Sequence, residues 1–189
     1  MNKKEDRRIY HTKRFLKEAL IELLKQKPLT KITITELCHK ADINRNTFYC
    51  HYNLPEDVLF EIEDEILHNI QSLFNEKSKK EEDTKLVYEI CKLLKDNPDL
   101  SYVLFNNIDK SFVNQLIALC HDRNINDWKK ISEYTNDKTA EMFYRFTLSG
   151  ATSIIQEWCN NGFQESIDEI ANFIEKLSLF GLNGFISNK

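Results

Sequence analysis

Apolar residues recur at three- and four-residue spacing along almost the whole chain, the signature of amphipathic helices. A first helix is predicted over 12–26, with Phe15, Ala19, Leu20, Leu23 and Leu24 on one face, Thr12 as its cap and Pro28 as its stop. The stretch 32–52 holds two shorter helices back to back. A longer helix starts at Pro55, with Glu56 and Asp57 complementing its dipole, and carries Val58, Leu59, Ile62, Ile66, Ile70 and Leu73 as its stripe. It runs out in the polar connector NEKSKKEED. Further helices are predicted over 84–95, 98–107, 111–121 and 126–133. Two long ones close the chain: 137–160, ended by the Asn161-Gly162 pair, and a last helix opened by a Ser166–Glu169 capping box and reaching about residue 186. The pattern predicts an all-α fold of nine or ten helices. A three-helix head (residues 8–68) carries a larger helical body (69–189) hung on the fourth helix.

Composition sharpens this. Only four glycines and three prolines occur in 189 residues, far below the roughly 12% that is usual, and this favours long helices over turn-rich β folds. All four glycines lie at or after Gly150, so no early glycine-rich loop can cradle a nucleotide phosphate. No GxSxG or HExxH pattern occurs either, and no enzyme activity is expected. Five cysteines without a CxxC pair read as reduced thiols. With no signal-like leader and no apolar run of about 18 residues, the expected place is the cytoplasm, away from membranes. The five histidines show no ligand spacing, so neither a metal nor another cofactor is expected.

Charge is unevenly distributed. Residues 1–55 hold 12 Lys/Arg against 6 Asp/Glu, while residues 56–189 hold 14 against 24. A basic head on an acidic body suits a head that meets a polyanion.

The segment ITITELCHKADINRNTFYCHYNLPEDVL carries the strongest signal. Thr33 and Glu36 form a capping box for one short helix, and Asn44 caps a second after a turn at Ala41-Asp42-Ile43. Helices this short do not stand alone. They hold if Leu37, Ala41, Ile43, Phe48 and Tyr52 share a core with the first helix. Two helices joined by so short a turn make a helix-turn-helix whose second helix can enter the major groove. With Phe48 and Tyr52 turned inward, Arg45, Asn46, Thr47 and Tyr49 point outward. Arginine suits guanine O6 and N7, asparagine suits adenine N6 and N7, and threonine meets the thymine methyl. Tyr49, His51 and Thr35 suit phosphate oxygens, as do the free N–H groups at the two helix starts, Thr33 and Asn44. No acidic residue falls between Ile43 and Pro55. Cys50 falls on the same helix and reads as a small residue tolerated beside the groove, with a thiol redox switch as the alternative.

The block 33–59 resembles the DNA-binding head of TetR-type transcriptional regulators. The shared features are Thr33, Ala41, the run Thr47-Phe48-Tyr49-Cys50-His51-Tyr52 and the acidic start Glu56-Asp57-Val58-Leu59. The resemblance covers residues 8–68 and implies a homodimer that reads a palindromic double-stranded operator and represses until a small-molecule effector releases it. Asp42 stands where the family usually has a turn glycine, and Pro55 where it often has a phosphate-binding lysine. The basic arm of Lys3, Lys4, Arg7, Arg8, Lys13 and Arg14 is the candidate to replace that contact, with a merely solubilising tail as the alternative.

In the body, Tyr102, Phe105, Trp128 and Tyr144 are candidates for lining an effector pocket, with core packing as the alternative for each. On the last helix Ile170, Phe173, Ile174, Leu177 and Gly181 share a wide apolar face. Gly150, costly inside a helix by about 1 kcal/mol, suggests a close helix approach. Two such helices from each protomer can build a four-helix dimer interface, unless this face packs on its own body. An activator, a regulator controlled by a partner protein, and a helical interaction module without a DNA role are the rival readings.

Overall fold

The computed structural model describes residues 3–77, 86–106, 114–115, 118–119 and 136–186. Among them, eight α-helices are bounded, joined in one place by a 3-10 turn, and no strand occurs. In chain order they are α1 (Lys3–Leu24), the 3-10 turn Leu29–Lys31, α2 (Ile34–Ala41), α3 (Arg45–Tyr49), α4 (Pro55–Lys77), α5 (Leu86–Asp96), α6 (Pro98–Asn106), α7 (Asp137–Asn160) and α8 (Ile167–Ile186). The helix expected over 126–133, and most of that expected over 111–121, lie outside the described residues.

Helix α1 starts well before Thr12, which sits inside it rather than capping it. The segment KKEDRRIYH is made of good helix formers but has no apolar stripe, so periodicity places the start too late. Within α1, Leu16, Leu20, Leu23 and Leu24 are buried, whereas Phe15, expected on the inner face, is 41% exposed.

The head is closed by local chemistry. Thr33 Oγ1 accepts from the Glu36 N–H at 3.2 Å to open α2, and Asn44 Oδ1 accepts from the Asn46 N–H at 2.8 Å to open α3. Between them Asp42 adopts the left-handed conformation, φ 54° and ψ 41°, and the Ile43 N–H reaches back to the Cys38 carbonyl at 2.9 Å. Helix α3 has only five residues and is held by its neighbours. Phe48 is wholly buried with Leu37, Tyr52 and the α1 leucines, a burial that contributes about 1.5–3 kcal/mol. Asp57 accepts from the N–H groups of Asn53 at 2.7 Å and Leu54 at 3.0 Å, and this sets how the chain enters α4.

Two apolar cores follow. The first joins α1, α2, α3 and α4, with Val58, Leu59, Ile62, Ile66 and Ile70 from the predicted stripe. The second gathers Cys91, Leu94, Phe105, Ile155, Trp158 and Ile174 between α5, α6, α7 and α8. Helix α6 belongs to both: Val103 and Leu104 are buried in the first, and Phe105 one residue later in the second. An ion pair between Lys25, just past α1, and Asp99 at the start of α6 reinforces this link.

The corner between α7 and α8 holds the predicted Asn161-Gly162 stop and Ser166–Glu169 box, and other local contacts support them. Asn136 caps α7 by accepting from the Thr139 N–H at 2.9 Å, and Gly162 and Phe163 take positive φ values of 74° and 58° after its end. Phe163 packs edge-on to Trp158 with centroids 4.8 Å apart, and Trp158 Nε1 donates to the Glu165 carbonyl at 3.1 Å. The capping box is reciprocal: the Ser166 N–H donates to Glu169 Oε2 at 2.8 Å, and the Glu169 N–H to Ser166 Oγ at 3.2 Å. Among the described residues, no helix is long and apolar enough to cross a membrane.

Candidate nucleic-acid interface

Because Phe48 anchors one side of α3 in the core, the opposite side of that helix must face solvent. Arg45, Asn46 and Tyr49 are exposed and Thr47 is half-buried. Arg45 Nη2 donates to the Tyr49 hydroxyl at 3.4 Å, which ties together two side chains one turn apart. That hydrogen bond, followed by attraction to Tyr49, raises the Arg45 basicity above its usual value, so the guanidinium stays charged. The Cys50 thiol is exposed and donates to the Asn46 carbonyl at 3.2 Å. Behind the helix, burial pushes the Cys38 thiol up, and that thiol stays protonated.

Around α3 the remaining expected residues are also accessible: Thr33, Thr35 and Asn44 are exposed and His51 is half-buried. Thr33 and Asn44 each have an oxygen engaged as a cap, yet the Thr33 hydroxyl hydrogen and the Asn44 amide N–H groups remain as donors. All eight residues are thus at least partly open to solvent, on α2 and α3 or next to their ends.

The basic arm divides. It is the first part of α1, not an extended tail. Lys13 is engaged inward, with Glu61 at 2.8 Å and its ammonium over the Tyr52 ring at 5.4 Å. Arg14 pairs with Glu18 at 3.5 Å. Arg7 and Arg8 are exposed and carry no ion pair among the described residues.

Pattern reading misses the polar brace behind this surface. Glu61 on α4 accepts from Lys13 at 2.8 Å and from Tyr52 at 3.0 Å, and pairs with Lys17 at 2.8 Å, which also pairs with Glu65 at 2.6 Å. Burial works to raise the Glu61 pKa, but the hydrogen bonds from Lys13, Lys17 and Tyr52 outweigh it and hold the carboxyl at about 2. The signal was present as Lys13/Lys17 and Glu61/Glu65, two pairs at four-residue spacing on helices whose apolar stripes meet.

In the body, Phe105 and Tyr144 are buried, Phe105 within the second core. The side chains of Tyr102 and Trp128 lie outside the described residues. On α8, Ile170 and Ile174 turn into the second core, while Phe173 and Leu177 are each 53% exposed. No described atom outside its own helix turn stands near a Cβ built on Gly150, so no described residue of the chain makes the close approach expected there. Gly181 does make one: a Cβ there would stand 2.8 Å from Phe143 Cε2. Met142, Phe146 and Phe180 are exposed on α7 and α8 and extend this apolar surface.

Comparison with known proteins bears on this arrangement. Residues 81–179, more than half of the chain, match the TetR-type family model described as "Transcriptional regulator C-terminal region". No curated protein matches the chain. Among solved structures, the dihydroxyacetone kinase operon activator DhaS is similar at a TM-score of 0.63 and 22% identity, covering 92% of this chain and 97% of that one. A TetR transcriptional regulator from Streptococcus agalactiae 2603V is similar at a TM-score of 0.68 and 20% identity, with the same coverage of 92% and 97%. The fatty acid degradation regulator FadR from Bacillus halodurans reaches a TM-score of 0.71 at 13% identity, covering 87% of this chain and 96% of that chain. Identities this low show a shared all-α fold.

Proposed function

We propose a function from one premise: the chain belongs to the TetR family of transcriptional regulators. In this reading the protein is a cytoplasmic homodimeric repressor that holds a palindromic operator and leaves it when a small-molecule effector binds the body. Residues 8–68 form the DNA-binding head and 69–189 the regulatory and dimerising body. The protein works by binding and performs no catalysis.

One observation carries the proposal. Arg45, Asn46, Thr47 and Tyr49 sit on the open side of a helix whose other side is fixed by a wholly buried Phe48. Donors held this way can meet base edges without reorganising, Arg45 to a guanine and Asn46 to an adenine. Thr33, Thr35, Asn44 and His51 would take phosphates, with Arg7 and Arg8 adding charge from α1. Affinity then comes mainly from phosphates and sequence choice from α3.

Each protomer presents one such helix, and a palindrome requires two, about 34–36 Å apart or a multiple of that. The exposed Phe173, Leu177 and Phe180 of α8, with Met142 and Phe146 of α7, supply a self-complementary apolar face for pairing. Effector and DNA must then weaken each other reciprocally. The likeness to an activator in the DhaS structure keeps activation as the second reading, with the same head and the opposite outcome for transcription.

The test is fluorescence anisotropy with DNA from upstream of the gene, repeated at rising salt. A repressor of this kind binds with affinity falling by a log–log slope of about −0.9 per phosphate contacted. Binding that ignores both salt and sequence would refute it. Transcription in vitro from the same promoter separates repression from activation.

A further inference from the structure

We propose that the crevice between head and body binds a small cationic amphiphile, an ammonium group on a short hydrocarbon body. It deepens the effector reading above, and depends on that reading only for its consequence on DNA.

The crevice has a volume of about 230 Å3 and is walled by four helices: Ile21 from α1, Ile66 from α4, Leu93 from α5, and Leu100 and Leu104 from α6. Close-packed interiors leave few voids larger than a water, so an apolar opening of this size at a junction is room for a ligand of modest size. Its polar lining comes from Lys17, Glu65, Asn69 and Asn97 towards solvent and from Ser101, which is buried.

The hydrogen-bond inventory of that lining decides the ligand's charge. The donors are mostly engaged. Lys17 Nζ bridges Glu61 at 2.8 Å and Glu65 at 2.6 Å. Ser101 Oγ donates to the Leu94 carbonyl at 2.8 Å, and Asn97 Nδ2 to the Leu93 carbonyl at 2.9 Å. Three acceptors remain, Glu65 Oε2, Asn97 Oδ1 and the exposed Asn69 Oδ1, to which no described residue donates, and of the three only Glu65 carries charge. An ammonium has three N–H groups to offer them while its chain lies on the leucine and isoleucine walls. A carboxylate in the same place would meet Glu65, and would compete at Lys17 with two carboxylates already bound there. A ligand held this way spans α1 of the head and α5 and α6 of the body, so it fixes their spacing and changes DNA affinity by the same linkage.

The experiment is calorimetric titration of the full chain, without DNA, using n-octylammonium, octanoate and 1-octanol. The expected result is saturable binding of one n-octylammonium per protomer, with octanol and octanoate each about tenfold weaker or worse. Glu65→Gln should weaken n-octylammonium about tenfold. Asn69→Trp, placed on the exposed rim, should abolish binding by filling the mouth, with circular dichroism confirming that both variants fold. Octanoate binding as well as n-octylammonium, no heat from n-octylammonium, or binding indifferent to Asn69→Trp would each overturn the site. Because no DNA is present, the result stands apart from the operator reading: either can fail alone.

Discussion

Arg45 and Tyr49 are joined across one turn of α3, guanidinium to phenol oxygen at 3.4 Å, on the side of the helix that faces away from Phe48. A free arginine must lose rotamer freedom when it docks on a base, whereas one already tied to Tyr49 loses less. Arg45→Ala is therefore expected to weaken operator binding by about 1–3 kcal/mol and to relax base preference at one position. Tyr49→Phe, which keeps the ring but removes the acceptor, should lose several-fold in affinity with unchanged thermal stability. Anisotropy against a panel of single-base operator variants measures both. Unaltered base preference in Arg45→Ala would remove the residue from the readout.

Asp42 sits at φ 54°, where a side chain is disfavoured by about 1–2 kcal/mol and aspartate tolerates the strain better than most. Asp42→Gly should leave stability unchanged or raise it by about 0.5 kcal/mol, since the relief is partly offset by the entropy of a freer unfolded chain. Asp42→Val should lower it by about 1–2 kcal/mol. Urea midpoints at a constant m-value report both changes.

The Glu61 brace predicts a pH dependence. Its carboxyl is held at about 2 in the folded protein against an ordinary value of 4.5, so it stabilises the fold fully above about pH 4.5. That contribution fades as pH falls from about 4.5 towards 2. Glu61→Gln should lower stability at pH 7 by about 2 kcal/mol and flatten the acid limb of the stability curve. Thermal unfolding from pH 7 to pH 2.5 checks this, and parallel curves for the two proteins would contradict it.

Pairing through α8 is tested by a charge on its exposed face. Leu177→Glu, at a position 53% exposed in the single chain, should leave the fold intact and convert the proposed dimer to monomers in sedimentation. Operator affinity should fall in parallel, because a lone head holds only one half-site. A dimer that survives the substitution would place pairing elsewhere.

The legibility of the sequence followed the range of each interaction. The bounds of α7 agree with the predicted 137–160, and its end was readable because the Asn161-Gly162 pair is a local signal that acts within a turn of where it stands. The Ser166–Glu169 box and the Thr33 and Asn44 caps were readable for the same reason. The exposed side of α3 followed once Phe48 was placed inward. What escaped was non-local or aperiodic. The start of α1 has helix formers but no stripe, the Lys13–Glu61 contact joins residues far apart in the chain, and Phe15 faces outward although it was placed on the inner face. The inward turn of Ile170 and Ile174 beside an outward Phe173 and Leu177 also depends on which side α5 occupies, and that is a tertiary fact.

Helix α6 places Val103 and Leu104 in the core of the head and Phe105 in that of the body, so adjacent residues belong to different packing units. Recombination that grafts a relative's first 68 residues onto this chain would leave those two side chains facing a foreign lining. A chimera built to redirect the regulator to a new promoter must therefore carry the matching residues of α6 along with the transplanted head.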